Sequence, residues 1–97
     1  MASYIVLCNY TDQGIQNVKD SPKRRAAAKE LGKTFGVELK AIYLAMGTCD
    51  LVLMIEAASD EAMAKWILSI GSKGNLRTTT IKVFPEADMD KILAAVA

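Results

Sequence analysis

Ninety-seven residues, 52% of them hydrophobic and 24% charged, give room for one core and one domain across 1–97, and they carry a formal charge of only +1. So even a balance leaves nothing in bulk electrostatics for nucleic acid or a membrane surface to recognise. The absence of histidine removes the commonest metal ligand and the commonest general base together, so zinc and triad chemistry are set aside and neither a metal nor a cofactor is expected.

The start, "MASYIVLCNYTD", lacks the basic n-region and long apolar stretch of a secretion signal, and no apolar run approaches the roughly 18 residues of a membrane span. A cytoplasmic setting is the expectation. Residues 3–10, "SYIVLCNY", are β-branched and aromatic and stop at Thr11, Asp12 and Gly14, as a strand does on entering a turn. "TDQGIQNVKD" then makes a short helical turn or loop. "SPKRRAAAKELGKTFG" reads as a helix with Ser21 at the N-cap, Pro22 in its first turn and Gly36 at its end. Its apolar stripe is Ala27, Ala28, Leu31 and Phe35.

A second strand is expected over Val37–Met46 and a third over residues 49–57, joined at Gly47 and Thr48 by a two-residue type II′ turn. That register sets Tyr43 opposite Val52. It puts Tyr43, Ala45, Asp50, Val52, Met54 and Glu56 on one face and Leu44, Leu51, Leu53 and Ile55 on the other. Ser59, followed by Asp60 and Glu61, opens another helix, on which Met63, Trp66, Ile67 and Ile70 recur at helical spacing. "LRTTTIKVF" is the fourth strand, and after Pro85 the residues Met89, Ile92, Leu93 and Val96 mark a C-terminal helix.

This order points to an α+β fold of ferredoxin-like βαββαβ type, an antiparallel sheet in spatial order 4-1-3-2 with a C-terminal helix added. The polar residues Glu38, Lys40, Arg77 and Lys82 then fall on the edge strands. "IVLC" and "LVLMI" are apolar at consecutive positions, so both faces of the central strands need cover, while two helices cover only one. A second copy meeting the open face would make a dimeric α+β barrel, so a homodimer or higher homo-oligomer is expected.

The whole chain resembles the GYD domain family, in the opening "SYIVLCNYTDQGIQNVKDSP", the hairpin "MGTCDLVLMIEA" and the last strand "GNLRTTTIKVF". Gly47 and Asp50 match the hairpin motif, whereas Cys49 stands where the name-giving tyrosine would. The resemblance implies a dimeric α+β barrel without an established activity. Similar hairpins occur in the ligand-sensing domains of Lrp/AsnC-type regulators, whose helix-turn-helix part this chain lacks.

Several residues are candidates for a site. Cys49 needs a nearby cation or helix start to become a nucleophile, and the sequence places an anion, Asp50, beside it instead; like Cys8, it reads as a small hydrophobe in a reducing compartment. Asp50 is either a cap on turn amides or a pocket acid partnered by Arg77 or a tyrosine hydroxyl. Tyr4, Tyr43 and Trp66 are core residues or the lining of a cavity between sheet and helices. Lys23, Arg24 and Arg25 crowd the positive end of a helix, as a solvated basic surface or as an anion site, though the loop lacks the glycines of a phosphate cradle. The leading expectation is a non-catalytic, small-molecule-binding or stress-associated homodimeric domain. A cofactor-independent oxygenase or isomerase of the barrel type and a structural interaction module are the alternatives.

Overall fold

The computed structural model describes residues 1–97. Strand β1 (Ala2–Tyr10) buries Tyr4, Val6 and Cys8 and leaves Ile5 and Leu7 between them half-exposed, the period of two that a strand shows when one face meets a core. It stops at Thr11, whose hydroxyl accepts the N–H of Gly14 at 3.0 Å and so caps the short helix α1 (Asp12–Gln16).

A 3₁₀ turn at Val18–Asp20 leads into α2 (Ser21–Phe35). Ser21 is not the N-cap expected from the sequence. The chain arrives already helical, with Asp20 in the cap position and Ser21 itself at φ −52° and ψ −41°. The freed Ser21 hydroxyl instead accepts Arg24 Nη2 at 3.2 Å and lies 3.4 Å from the Tyr10 hydroxyl. Gly36 ends α2 at φ 77°, a left-handed conformation that costs a residue without Cβ little.

Strands β2 (Val37–Leu44) and β3 (Leu51–Ala57) pair antiparallel with Tyr43 opposite Val52. Both are shorter than the sequence reading, and the II′ turn does not form, since Gly47 lacks the positive φ that such a turn requires. Asp50 is shared between its own hairpin, where its O accepts the Ala45 N–H at 2.8 Å, and β1: its N–H donates to Cys8 O at 2.8 Å, and its Oδ2 accepts the Tyr10 N–H at 2.9 Å. The tip, with Met46 99% exposed, is left free to open. A β-bulge between Leu39 and Ala41 was also not expected. It lets Lys40 reach Glu38 at 3.4 Å and Glu56 at 3.8 Å, and it shifts the side-chain alternation by one residue for the rest of β2.

Helix α3 (Asp60–Gly71) is capped by Ser59, whose Oγ accepts the Ala62 N–H at 3.1 Å, and it buries Met63 and Trp66. Strand β4 (Leu76–Val83) and helix α4 (Glu86–Ala94) complete the chain. The fold is α+β and ferredoxin-like, one antiparallel sheet in the order β4-β1-β3-β2. The core lies between α2, α3 and the sheet face that carries Val6, Cys8, Leu51, Leu53 and Ile55. The opposite face presents Ile5, Leu7, Val52, Met54, Tyr43 and Ile81 without a covering layer of this chain. No helix is long and apolar enough to cross a membrane.

Candidate functional site

Helix α2 sits close to the sheet at one point and stands off it nearby. At Gly32 a Cβ would lie 2.7 Å from Val37 O and 3.3 Å from Trp66 Nε1. The Trp66 indole N–H donates to Ala28 O at 2.9 Å, which ties α3 to α2 there. One turn earlier α2 offers only the short side chains of Ala27 and Ala28 to the space above the sheet, and a cavity of about 370 Å³ opens between them, α3 and the strands. That volume is in the range of small-molecule sites, at its lower end.

Cys8, Leu51 and Leu53 form the cavity's floor, while Leu31, Trp66 and Ile70 belong to the helices above. Burial and, secondarily, Cys49 push the Cys8 thiol up to about 12, so it is a neutral apolar group at physiological pH. No carboxylate lines the space, and every buried side-chain nitrogen or oxygen in the protein has a hydrogen-bond partner.

The polar rim is made where the ends of β1 and α3 meet the starts of α2 and β4. Arg24 Nη1 donates to Asn17 O at 2.9 Å and Nη2 to Gly14 O at 3.3 Å, which neutralises carbonyls left over where α1 ends. Thr11 Oγ1 donates to Gly74 O at 2.6 Å, and Gln13 Nε2 reaches Lys73 O at 3.2 Å and Asn75 Oδ1 at 3.1 Å. Gly14 packs so tightly that a Cβ there would lie 2.0 Å from Asn75 O. Arg25 and Lys73 border the opening beside this knot.

Of the residues singled out from sequence, Trp66, Arg24 and Arg25 line the cavity, and Lys23 is exposed outside it. Tyr4 and Tyr43 do not line it. Tyr4 is buried, but its hydroxyl donates to Asp60, whose two carboxylate oxygens also accept Lys82 Nζ at 3.0 Å. Burial first, then the bond to Asp60, pushes the Tyr4 hydroxyl up to about 12, and the same bond, aided by Lys82, lowers the Asp60 carboxyl. Tyr43 and Arg77 lie on the opposite sheet face, exposed, with Arg77 across from Asn9. Asp50 meets the Tyr10 main chain, not Arg77 or a tyrosine hydroxyl. Lys73, Asn75 and Thr78 line the cavity unannounced by any motif. The one signal available was the alanine-rich stretch of α2 set over a sheet of larger residues.

Comparison with known proteins agrees with this architecture. A Thermus thermophilus protein described as a glutamine synthetase and cystathionine beta-lyase binding protein is 33% identical over 90 residues, which are 92% of this chain and 95% of that one. The feast or famine regulatory protein of Mycobacterium tuberculosis, solved in complex with L-methionine, matches with a TM-score of 0.67 at 21% identity, covering 88% of this chain and 51% of the other. The leucine response regulatory protein of the same organism gives 0.65 at 20% identity over 87% of this chain and 51% of its own. This chain thus spans about half the length of those regulators, and the likeness to them is one of fold. The model of the GYD domain matches residues 4–93, from the buried Tyr4 of β1 into α4, and with so much of its sheet, helices and hairpin included the chain belongs to the GYD domain family.

Proposed function

We propose that this chain is a single-domain, homodimeric, non-catalytic binding protein whose ligand is a small molecule held between sheet and helices. The observation that carries the reading is the apolar cavity of about 370 Å³ with no carboxylate in its lining. An oxygenase or isomerase acting without a cofactor needs a base within reach of its substrate, and the carboxylates Asp50 and Asp60 are engaged elsewhere. The dimer follows from the open sheet face: Ile5, Leu7, Val52 and Met54 form a contiguous apolar centre that a lone molecule would leave in water. Two such faces packed together, about 10 Å apart as in other sheet pairs, form a barrel.

Docking to other proteins is a second reading, supported by helix α4, on which Met89, Ile92, Leu93 and Val96 or its flank are all exposed. The Thermus relative is named for binding two enzymes, and an exposed amphipathic helix is a common means of such docking. Native mass spectrometry tests the main reading in one measurement. A dimer mass with adducts that leave on denaturation is the expected result, and Leu7→Glu, which puts a charge at the centre of the open face, yields monomer. A stable, non-aggregating monomer of the parent at micromolar concentration would overturn the shared barrel.

A further inference from the structure

We propose that the cavity takes a medium-chain amphipathic anion, its apolar tail between α2, α3 and the sheet and its carboxylate at Arg25 and Lys73. This assignment rests on the small-molecule reading above and adds the chemical class of the ligand.

The sign of the charge follows from the lining. Three cations, Arg24, Arg25 and Lys73, border the cavity, and no aspartate or glutamate does. Arg24 is committed to the carbonyls of Gly14 and Asn17. Arg25 and Lys73 have no such duty: the salt bridges of the protein are at Lys33, Lys40 and Lys82. They belong to different elements, Arg25 to the first turns of α2 and Lys73 to the segment after α3. Two cations from different elements on the lining of one apolar space attract an anion without a partner in the chain to compete. The Tyr10 and Ser21 hydroxyls, 3.4 Å apart on the same lining, supply further donors.

The tail follows from the interior. Below the rim the lining turns to Cys8, Leu31, Leu53, Ile67, Ile70 and Leu76, with the Cys8 thiol neutral. At roughly 30 Å³ per heavy atom, the share of one water in the liquid, a cavity of about 370 Å³ holds on the order of a dozen atoms. A chain of about eight to ten carbons with its carboxylate fits that figure. For a head group of higher charge the first turn of α2 is poorer in main-chain donors, because Pro22 removes one of its N–H groups.

Trp66 lines the cavity, so its fluorescence reports occupancy, with calorimetry as the second readout. The probes are hexanoate, octanoate and decanoate below their micelle concentrations, decanol, and decyltrimethylammonium. Decanoate is expected to bind the parent, with affinity rising up to about fourfold per added methylene until the cavity is full, and decyltrimethylammonium to bind at least tenfold more weakly. Reversing both exposed charges, Arg25→Glu with Lys73→Glu, weakens decanoate at least tenfold and leaves decanol unchanged. Thr78→Phe, which fills the cavity from β4, abolishes binding of both. Equal binding of decanoate and the cationic probe, or an unchanged decanoate affinity in the charge-reversed variant, would overturn the anionic head group while the small-molecule reading stands on decanol. Binding of no probe to the parent would overturn both, and parental decanoate affinity in a folded Thr78→Phe protein would overturn the location.

Discussion

Replacing Gly32 by alanine and Gly71 by alanine should move stability in opposite directions, although both glycines lie in helices with ordinary backbone angles. Alanine is favoured over glycine by about 1 kcal/mol in a helix interior, so propensity alone makes both changes stabilising. At Gly71 nothing lies within 4 Å of the added Cβ, and the gain is kept. At Gly32 the Cβ meets Val37 O at 2.7 Å. That oxygen belongs to the main chain of β2, which is laddered to β3 and cannot swing aside as a side chain does. Reaching the 3.4 Å of ordinary contact requires α2 to lift by about 0.7 Å, and overpacking of that kind costs about 1–3 kcal/mol. Set against the helix gain of about 1 kcal/mol, the net loss is up to about 2 kcal/mol. Urea unfolding at fixed protein concentration reads it as a midpoint lower by up to about 1 M, given a slope of about 2 kcal/mol/M, while Gly71→Ala moves the midpoint up. A Gly32→Ala protein that gains stability as Gly71→Ala does would refute the close approach that positions α2 over the cavity.

Three more outcomes follow from the hydrogen-bond pattern. Tyr4→Phe flattens both ends of the pH–stability profile. The raised Tyr4 value contributes stability that is complete below 10.0 and lost as pH climbs toward about 12, whereas the lowered Asp60 value contributes stability present above 3.8 and lost as pH falls through the folded-state value; melting across a pH series checks both, and unchanged limbs would contradict the pairing. Asp50→Asn keeps an acceptor for the Tyr10 N–H and should cost under about 0.5 kcal/mol, whereas Asp50→Ala costs about 1–2 kcal/mol; equal losses in urea would mean that the charge itself is used. Cys8, buried and with its thiol pushed up to about 12, should resist alkylation at neutral pH until the protein unfolds, while half-buried Cys49 labels slowly and Cys49→Ser retains binding; one thiol reacting fast, at the rate of a free cysteine, would overturn this order.

The sequence was legible where a local rule and the tertiary fold pull the same way. Ser59 caps α3 and Gly36 ends α2 as their types demand, and the Tyr43–Val52 register is the one expected from a loop centred on Gly47 and Thr48 even though the II′ turn itself does not form. It was illegible where a distant group intervened. Ser21 satisfies every local criterion for an N-cap, yet the 3₁₀ turn before it sets the helix start one residue earlier. The hairpin tip has the composition of a tight turn, but Asp50 is drawn to Tyr10 and Cys8 of β1, so that partners distant in the sequence rather than two residues of turn chemistry decide its place. Trp66 could be put on the core face by periodicity, but whether its neighbours fill the space or leave a cavity depends on the height of α2, where Gly32 approaches Val37 O. Arg25 and Lys73 are 48 positions apart, and only the packing of α2 beside the segment after α3 brings them to one cavity.

The knot that joins Thr11, Gln13 and Gly14 to residues 73–75 has a bearing on engineering. Both connections at this end of the sheet are shut against insertion, since one added residue on either side breaks hydrogen bonds to the other and even a methyl at Gly14 strikes Asn75 O. The hairpin between β2 and β3 is the reverse, with open space around Gly47. A fluorophore, an affinity tag or a whole inserted protein therefore belongs at the hairpin tip, where lengthening a loop costs only slowly growing closure entropy, and a sensor built there would stand at the same end of the molecule as the cavity's rim.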